Sequence, residues 1–101
     1  MIIDFERSGG FAAIPLRLKI DTSTLAPDAR KNLEGLVAQA HFFELPAKIP
    51  SQAGGADRFQ YKLAIQDDRR LNSIEGGEAS LPTDLQPLVT QLNQMARTSR
   101  T

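Results

Sequence analysis

Met1-Ile2-Ile3-Asp4-Phe5-Glu6-Arg7-Ser8-Gly9-Gly10-Phe11 opens the chain, and its reading decides the fold. Met1, Ile3 and Phe5 fall on one side of an extended backbone, Asp4 and Glu6 on the other. That is the period-two signature of a half-buried strand. Residues 12–21 repeat the pattern: Ile14, Leu16, Leu18 and Ile20 alternate with Arg17, Lys19 and Asp21. Two such runs around a glycine pair predict a hairpin, because glycine supplies the positive φ angles of primed turns. A two-residue turn at Gly9-Gly10 or a four-residue loop from Ser8 to Phe11 sets Phe5 opposite Ile14, Ile3 opposite Leu16 and Met1 opposite Leu18. An odd-length loop would slip the pairing by one residue and set apolar against charged side chains, so an even length is expected. Asp4 and Glu6 then lie diagonally across from Arg17 and Lys19. Pro15 lacks an N–H, which predicts a free edge or a bulge in the second strand.

Outward from the hairpin, Pro27 suits a first helical turn. Ala29, Leu33, Leu36, Val37 and Ala40 recur at helical spacing and predict a helix over roughly residues 26–40. Gly35 inside it suggests a close approach to the sheet. His41-Phe42-Phe43-Glu44-Leu45-Pro46 ends the helix, one phenylalanine capping the core and the other packing under a loop. Residues 47–56 read as a polar, glycine-rich loop. Phe59, Tyr61, Leu63 and Ile65 alternate with Arg58, Gln60, Lys62 and Ala64 over 57–66, the clearest strand signal in the chain. A turn at Asp68-Arg69 returns the chain through Leu71–Glu75, with Leu63 opposite Ile74 and the strand broken at Gly76-Gly77. Leu85, Leu88, Val89, Leu92 and Ala96 form the stripe of a second helix, capped at Thr83 or Asp84. The prediction is one α+β domain over residues 1–101, in the order ββαββα, with an antiparallel four-stranded sheet and both helices on one face.

Bulk composition narrows the function. The 101 residues suit a single core. Twelve basic residues balance twelve acidic ones, which argues against binding nucleic acid or an anionic membrane surface. No cysteine is present, so no disulfide holds the fold and no thiol serves as a nucleophile. The first residues lack the charge-then-apolar order of a secretory leader, and no apolar run approaches a membrane span. A cytoplasmic protein, monomeric when free, is the expectation.

Chemistry is sparse. A zinc site needs several His or Cys ligands, and His41 is the single histidine. At a helix end it reads as a structural residue. Asp67-Asp68 reads as a charged hairpin turn; an acid–base pocket would require Asp57 to meet one of them. No glycine-rich loop has the P-loop or Rossmann context, so no catalytic residue, cofactor or metal is expected. Ser8-Gly9-Gly10-Phe11 allows two readings. Gly-Gly is a good turn and Phe11 folds back onto the sheet, or Phe11 is an exposed aromatic anchor of the kind that forms binding hot spots.

The stretch Phe5-Glu6-Arg7-Ser8-Gly9-Gly10-Phe11-Ala12-Ala13-Ile14 resembles the N-terminal signature of the emfourin family, small bacterial protein inhibitors of thermolysin-like metallopeptidases such as protealysin. The similarity continues through Leu33-Glu34-Gly35-Leu36-Val37, Phe42-Phe43-Glu44-Leu45-Pro46 and Ala56-Asp57-Arg58-Phe59-Gln60-Tyr61, and ends with Pro82, Leu85, Leu88 and Leu92. The resemblance implies a non-enzymatic inhibitor whose partner is a zinc endopeptidase. The expected inhibitory loop is Arg7, Ser8, Gly9, Gly10 and Phe11; the residues permit a mechanism in which Arg7 pairs a carboxylate on the rim of the cleft. Asp57 and Arg58 belong to the matching segments; they read equally as strand-start residues with an exposed ion pair or as secondary contacts. A non-inhibitory interaction module or assembly partner for a protease is the alternative reading.

Overall fold

The computed structural model describes residues 1–9, 15–49 and 59–98. Strand β1 is Ile2–Gly9, β2 is Leu16–Asp21, helix α1 is Pro27–Gln39, β3 is Phe59–Gln66, β4 is Leu71–Gly77 and α2 is Gln86–Thr98. The strands form one antiparallel sheet in the order β2-β1-β3-β4. Both helices cover one face, as the amphipathic patterns require. Ile3, Phe5, Leu16, Ile20, Tyr61, Leu63, Ile65 and Ile74 from the sheet join Leu33 and Val37 of α1 and Leu88, Val89, Leu92 and Ala96 of α2 in one core. The other face carries the charged halves of the strand alternations.

The first hairpin keeps its predicted parity but not its predicted register. Phe5 lies opposite Leu18 and Ile3 opposite Ile20, four residues further along β2 than a two- or four-residue loop allows. Ser8 and Gly9 are therefore strand residues, paired with Gln60 and Phe59 of β3. The physical reason is in the partners. This register sets Asp4 opposite Lys19 and Glu6 opposite Arg17, with Arg17 Nε 2.7 Å from Glu6 Oε1. It also leaves Pro15 before the ladder, where its missing N–H removes no bond. The expected partner Ile14 lies outside the described residues.

The second hairpin matches its prediction, with Leu63 opposite Ile74. Asp67 builds its turn. Its Oδ1 accepts from the Arg69 and Arg70 amides at 3.3 and 3.1 Å, and its Oδ2 lies 2.7 Å from Arg70 Nη2. The Arg70 bond, foremost, holds the Asp67 carboxyl below its ordinary value. β4 does not break before the glycines but runs through Gly76 to Gly77. Gly76 lies under Ile49: a Cβ there would sit 2.8 Å from the Ile49 Cβ. That approach lets residues 47–49 join the β4 edge, with Glu75 N donating to Ala47 O and Ile49 N donating to Glu75 O, each at 2.9 Å.

Helix α1 starts at Pro27 and is followed by His41 in the left-handed region, φ 50° and ψ 44°. Gly35 makes no close approach to the sheet; it is exposed, and a Cβ added there would meet nothing within 4 Å. Ala29 is also exposed, so the buried stripe is Leu33, Val37 and Ala40. Phe42 fills the core at 1% exposure. Phe43 meets it edge-on at 5.6 Å and lies beneath the Arg70 guanidinium. Asn72 of β4 donates to Phe42 O and Leu45 O at 2.9 and 3.0 Å, tying this segment to the sheet. Helix α2 begins later than the predicted caps, because Thr83–Leu85 form a 3-10 turn first. Its whole predicted stripe is buried. No helix among the described residues is long and apolar enough to cross a membrane.

Candidate functional site

β1 ends, β2 begins, β3 begins and β4 ends at the same end of the sheet. This follows from antiparallel pairing, and it brings Arg7, Ser8 and Gly9 of the predicted site against the start of β3. Gly9 pairs with Phe59 and Ser8 with Gln60. Gly10 and Phe11 follow Gly9 in the chain, and Asp57 and Arg58 precede Phe59; all four lie outside the described residues. Gly9 has φ 98°, a conformation that a side chain would strain.

Arg7 shares the helix-covered face of the sheet, with Leu16 opposite on one side and Tyr61 on the other. A cation suits such a position only if its stem packs among apolar groups while its head finds partners. The head finds Phe59: the guanidinium carbon stands 4.5 Å from the centre of that ring. Tyr61 is buried, which pushes its phenol above the ordinary value; Arg7, by charge and hydrogen bonding, partly offsets that rise, and Glu78 adds to it. Tyr61 in turn lies 5.8 Å from Phe5, ring centre to ring centre. Phe5, Tyr61, Arg7 and Phe59 thus form a continuous packed line from the core to the end of the sheet. Sequence reasoning singled out Arg7 but missed Phe59 and Tyr61 as its partners. The D-R-F-x-Y spacing carried the signal, since residues two apart on a strand share one face.

Elsewhere the surface is less promising. An open groove of about 800 Å³ runs over the outer sheet face, walled by Ala47 and Lys48. Across its floor Arg17, Glu6, Lys62 and Glu75 lie in one cross-strand row of alternating sign. Each charge faces its opposite, so the row presents no net charge to a ligand. Among the described residues no cluster of His, Asp and Glu could hold a metal ion. Asp67 is committed to its turn, and His41, exposed, stands 3.4 Å from Glu44 on the surface.

The model of the Emfourin family matches residues 5–93. Among solved structures the chain is similar to Emfourin (M4in) from Serratia proteamaculans, an M4 family peptidase inhibitor. The two are 24% identical, the match covers 87% of this chain and 84% of that chain, and the TM-score is 0.45. No curated protein matches the chain.

Proposed function

The chain belongs to the Emfourin family, and from that membership we propose that it is a non-enzymatic protein inhibitor of thermolysin-like, M4 family zinc metallopeptidases. The observation that carries the reading is the family match over residues 5–93, which includes the sheet end described above. The inhibitory surface is the segment Arg7-Ser8-Gly9-Gly10-Phe11. Thermolysin-like enzymes accept a large apolar side chain just after the scissile bond, and Phe11 fills that pocket. Gly9 and Gly10 let the backbone approach the cleft floor, and a carbonyl or the Ser8 hydroxyl faces the open coordination position of the enzyme's zinc. Ser8 and Gly9 are fixed to β3 before binding, so less ordering entropy is lost on association. A held backbone also resists distortion towards the hydrolytic transition state, which favours inhibition over cleavage. Asp57 and Arg58, next in the chain to the partner of Gly9, form the secondary contact.

The test is a titration of a purified thermolysin-like peptidase with this protein, following cleavage of a short fluorogenic peptide with zinc in excess over the inhibitor. Complete loss of activity near one-to-one stoichiometry is expected. Undiminished cleavage, or digestion of the protein itself, refutes the reading for that enzyme class. Within it, Phe11→Ala is expected to weaken inhibition by about 30-fold or more, the scale of a lost hot-spot aromatic. An unchanged inhibition constant would exclude Phe11 as the anchor.

A further inference from the structure

Among the described residues of the inhibitory segment, Arg7 packs its side chain against internal neighbours. Phe59 is directly opposite Gly9. Gly9 has no side chain, so on this face nothing from β1 covers the Phe59 ring from the position across. Arg7, two residues earlier and on the same face, reaches diagonally and lays its guanidinium over that ring at 4.5 Å. Directly opposite Arg7 on β3 is Tyr61, a buried residue, so the Arg7 charge bears on its phenol. Glu78, after β4, is the acidic group whose charge reaches that hydroxyl. The clamp therefore spans β1 and β3 at the last two residue pairs of their ladder on this face.

We infer that Arg7 is a positioning residue of the inhibitory surface, held over Phe59 and beside Tyr61 so that Ser8 and Gly9 stay paired with Gln60 and Phe59 at the end of the sheet, rather than a direct partner for a carboxylate of the enzyme. The inference rests on the inhibitor reading above and replaces the rim ion pair expected for this residue from the sequence. The two roles make different demands. A rim charge acts through steering, so its loss slows association and changes the salt dependence. A planar stack acts through pre-organisation, so its loss speeds dissociation. A lysine carries the same charge but has no plane to stack on the ring.

Arg7→Ala, Arg7→Lys, Phe59→Leu and the Arg7→Ala/Phe59→Leu double variant are compared with the parent chain. The first readout is amide hydrogen exchange in the free protein. The Ser8–Gly9 and Phe59–Gln60 pairs are expected to exchange about ten-fold faster in every variant, with the Ile3 and Ile65 amides unchanged, as local rather than global opening requires. The second readout is the rate of association with, and dissociation from, a thermolysin-like peptidase at low and high salt. Arg7→Lys is expected to dissociate about ten-fold faster, nearly as fast as Arg7→Ala, with an unaltered association rate and salt dependence. Phe59→Leu is expected to match them, and the double variant to be no worse than either single one. Unchanged exchange at the two pairs, full inhibition by Arg7→Lys, or a loss confined to a salt-sensitive association rate overturns the inference. If the parent chain inhibits no such peptidase, the functional reading fails by itself; the exchange measurement still decides whether Arg7 and Phe59 hold this end of the sheet.

Discussion

At the scale of single residues, two positions carry unusual backbone demands. His41 adopts φ 50° just after α1, the place where helices commonly end on glycine. Its side chain is exposed and its contact with Glu44 is a 3.4 Å surface pair, so little is lost by removing it. His41→Gly is expected to raise stability by about 0.5–1 kcal/mol, since glycine avoids the Cβ penalty of the left-handed region. Urea denaturation checks this, and a lower midpoint would show that the imidazole does more than its geometry suggests. Gly76 makes the opposite case. A Cβ there would lie 2.8 Å from the Ile49 Cβ, a contact that rotamer changes cannot relieve. Gly76→Ala is expected to cost about 1–3 kcal/mol as an overpacked site. It should also release the 47–49 segment from Glu75, seen as faster exchange of the Ile49 and Glu75 amides. The sequence suggested that glycines at 76–77 would end a strand, which is the local meaning of a glycine pair. The contact with Ile49 was not legible, because it joins residues far apart in the chain and depends on how a loop returns to the sheet edge.

At the scale of elements, the two hairpins differ in how much of each was legible. The β3–β4 turn follows directly from its residues: Asp67 has acceptors for two amides and a guanidinium, and the turn uses all three. The β1–β2 hairpin was legible only in part. Alternation fixes which face a residue takes, hence the parity of the register, but sliding by two or four residues preserves every face. The choice among those registers falls to pairs: Glu6 with Arg17, Asp4 with Lys19, and Pro15 outside the ladder. Gly-Gly suggested the tip of the hairpin, whereas Gly9 is the end of a strand paired on its other side with Phe59. Part of the candidate site was thus visible as a motif, while its attachment to β3 was not. In α1 the correction yields a prediction. Gly35 is exposed on the helix, with no atom within 4 Å of an added Cβ. Gly35→Ala is expected to stabilise the protein by up to about 1 kcal/mol through helix propensity and a less flexible unfolded chain. A higher melting temperature at unchanged inhibition would establish this; a lower one would mean that the position meets a partner after all.

At the scale of the whole molecule, two of the three carboxyls held below their ordinary values among the described residues, Asp21 and Glu34, lie at the joint between sheet and helix. Thr22, just after β2, is fully buried and donates through Oγ1 to Glu34 Oε2 at 2.7 Å, while its amide donates to Met1 O at 2.8 Å. One residue thereby links the start of β1, the end of β2 and the middle of α1. The Thr22 hydroxyl is the main reason the Glu34 carboxyl lies below its ordinary value of 4.5, with Arg30 adding to the effect. Asp21 beside it is lowered chiefly by the Ser23 hydroxyl, then by the Ser23 amide. A carboxyl that ionises more readily in the folded than in the unfolded chain contributes stability above its unfolded pKa. That contribution fades as pH falls through the folded value, because the unfolded chain then takes up more protons. Stability should therefore decline from about pH 4.5 downward, with Glu34, Asp21 and Asp67 all pulling in the same direction. Glu34→Gln keeps an oxygen to accept from Thr22 but has no proton to gain. It is expected to be somewhat less stable than the parent at neutral pH, where the charged acceptor bonds more strongly. Its melting temperature should also fall less steeply as the medium is acidified. Melting curves at matched pH values down to the acid limit check both parts. Parallel curves for parent and variant would mean that protonation of Glu34 does not control the joint, and would leave Asp21 and Asp67 to carry the acid lability.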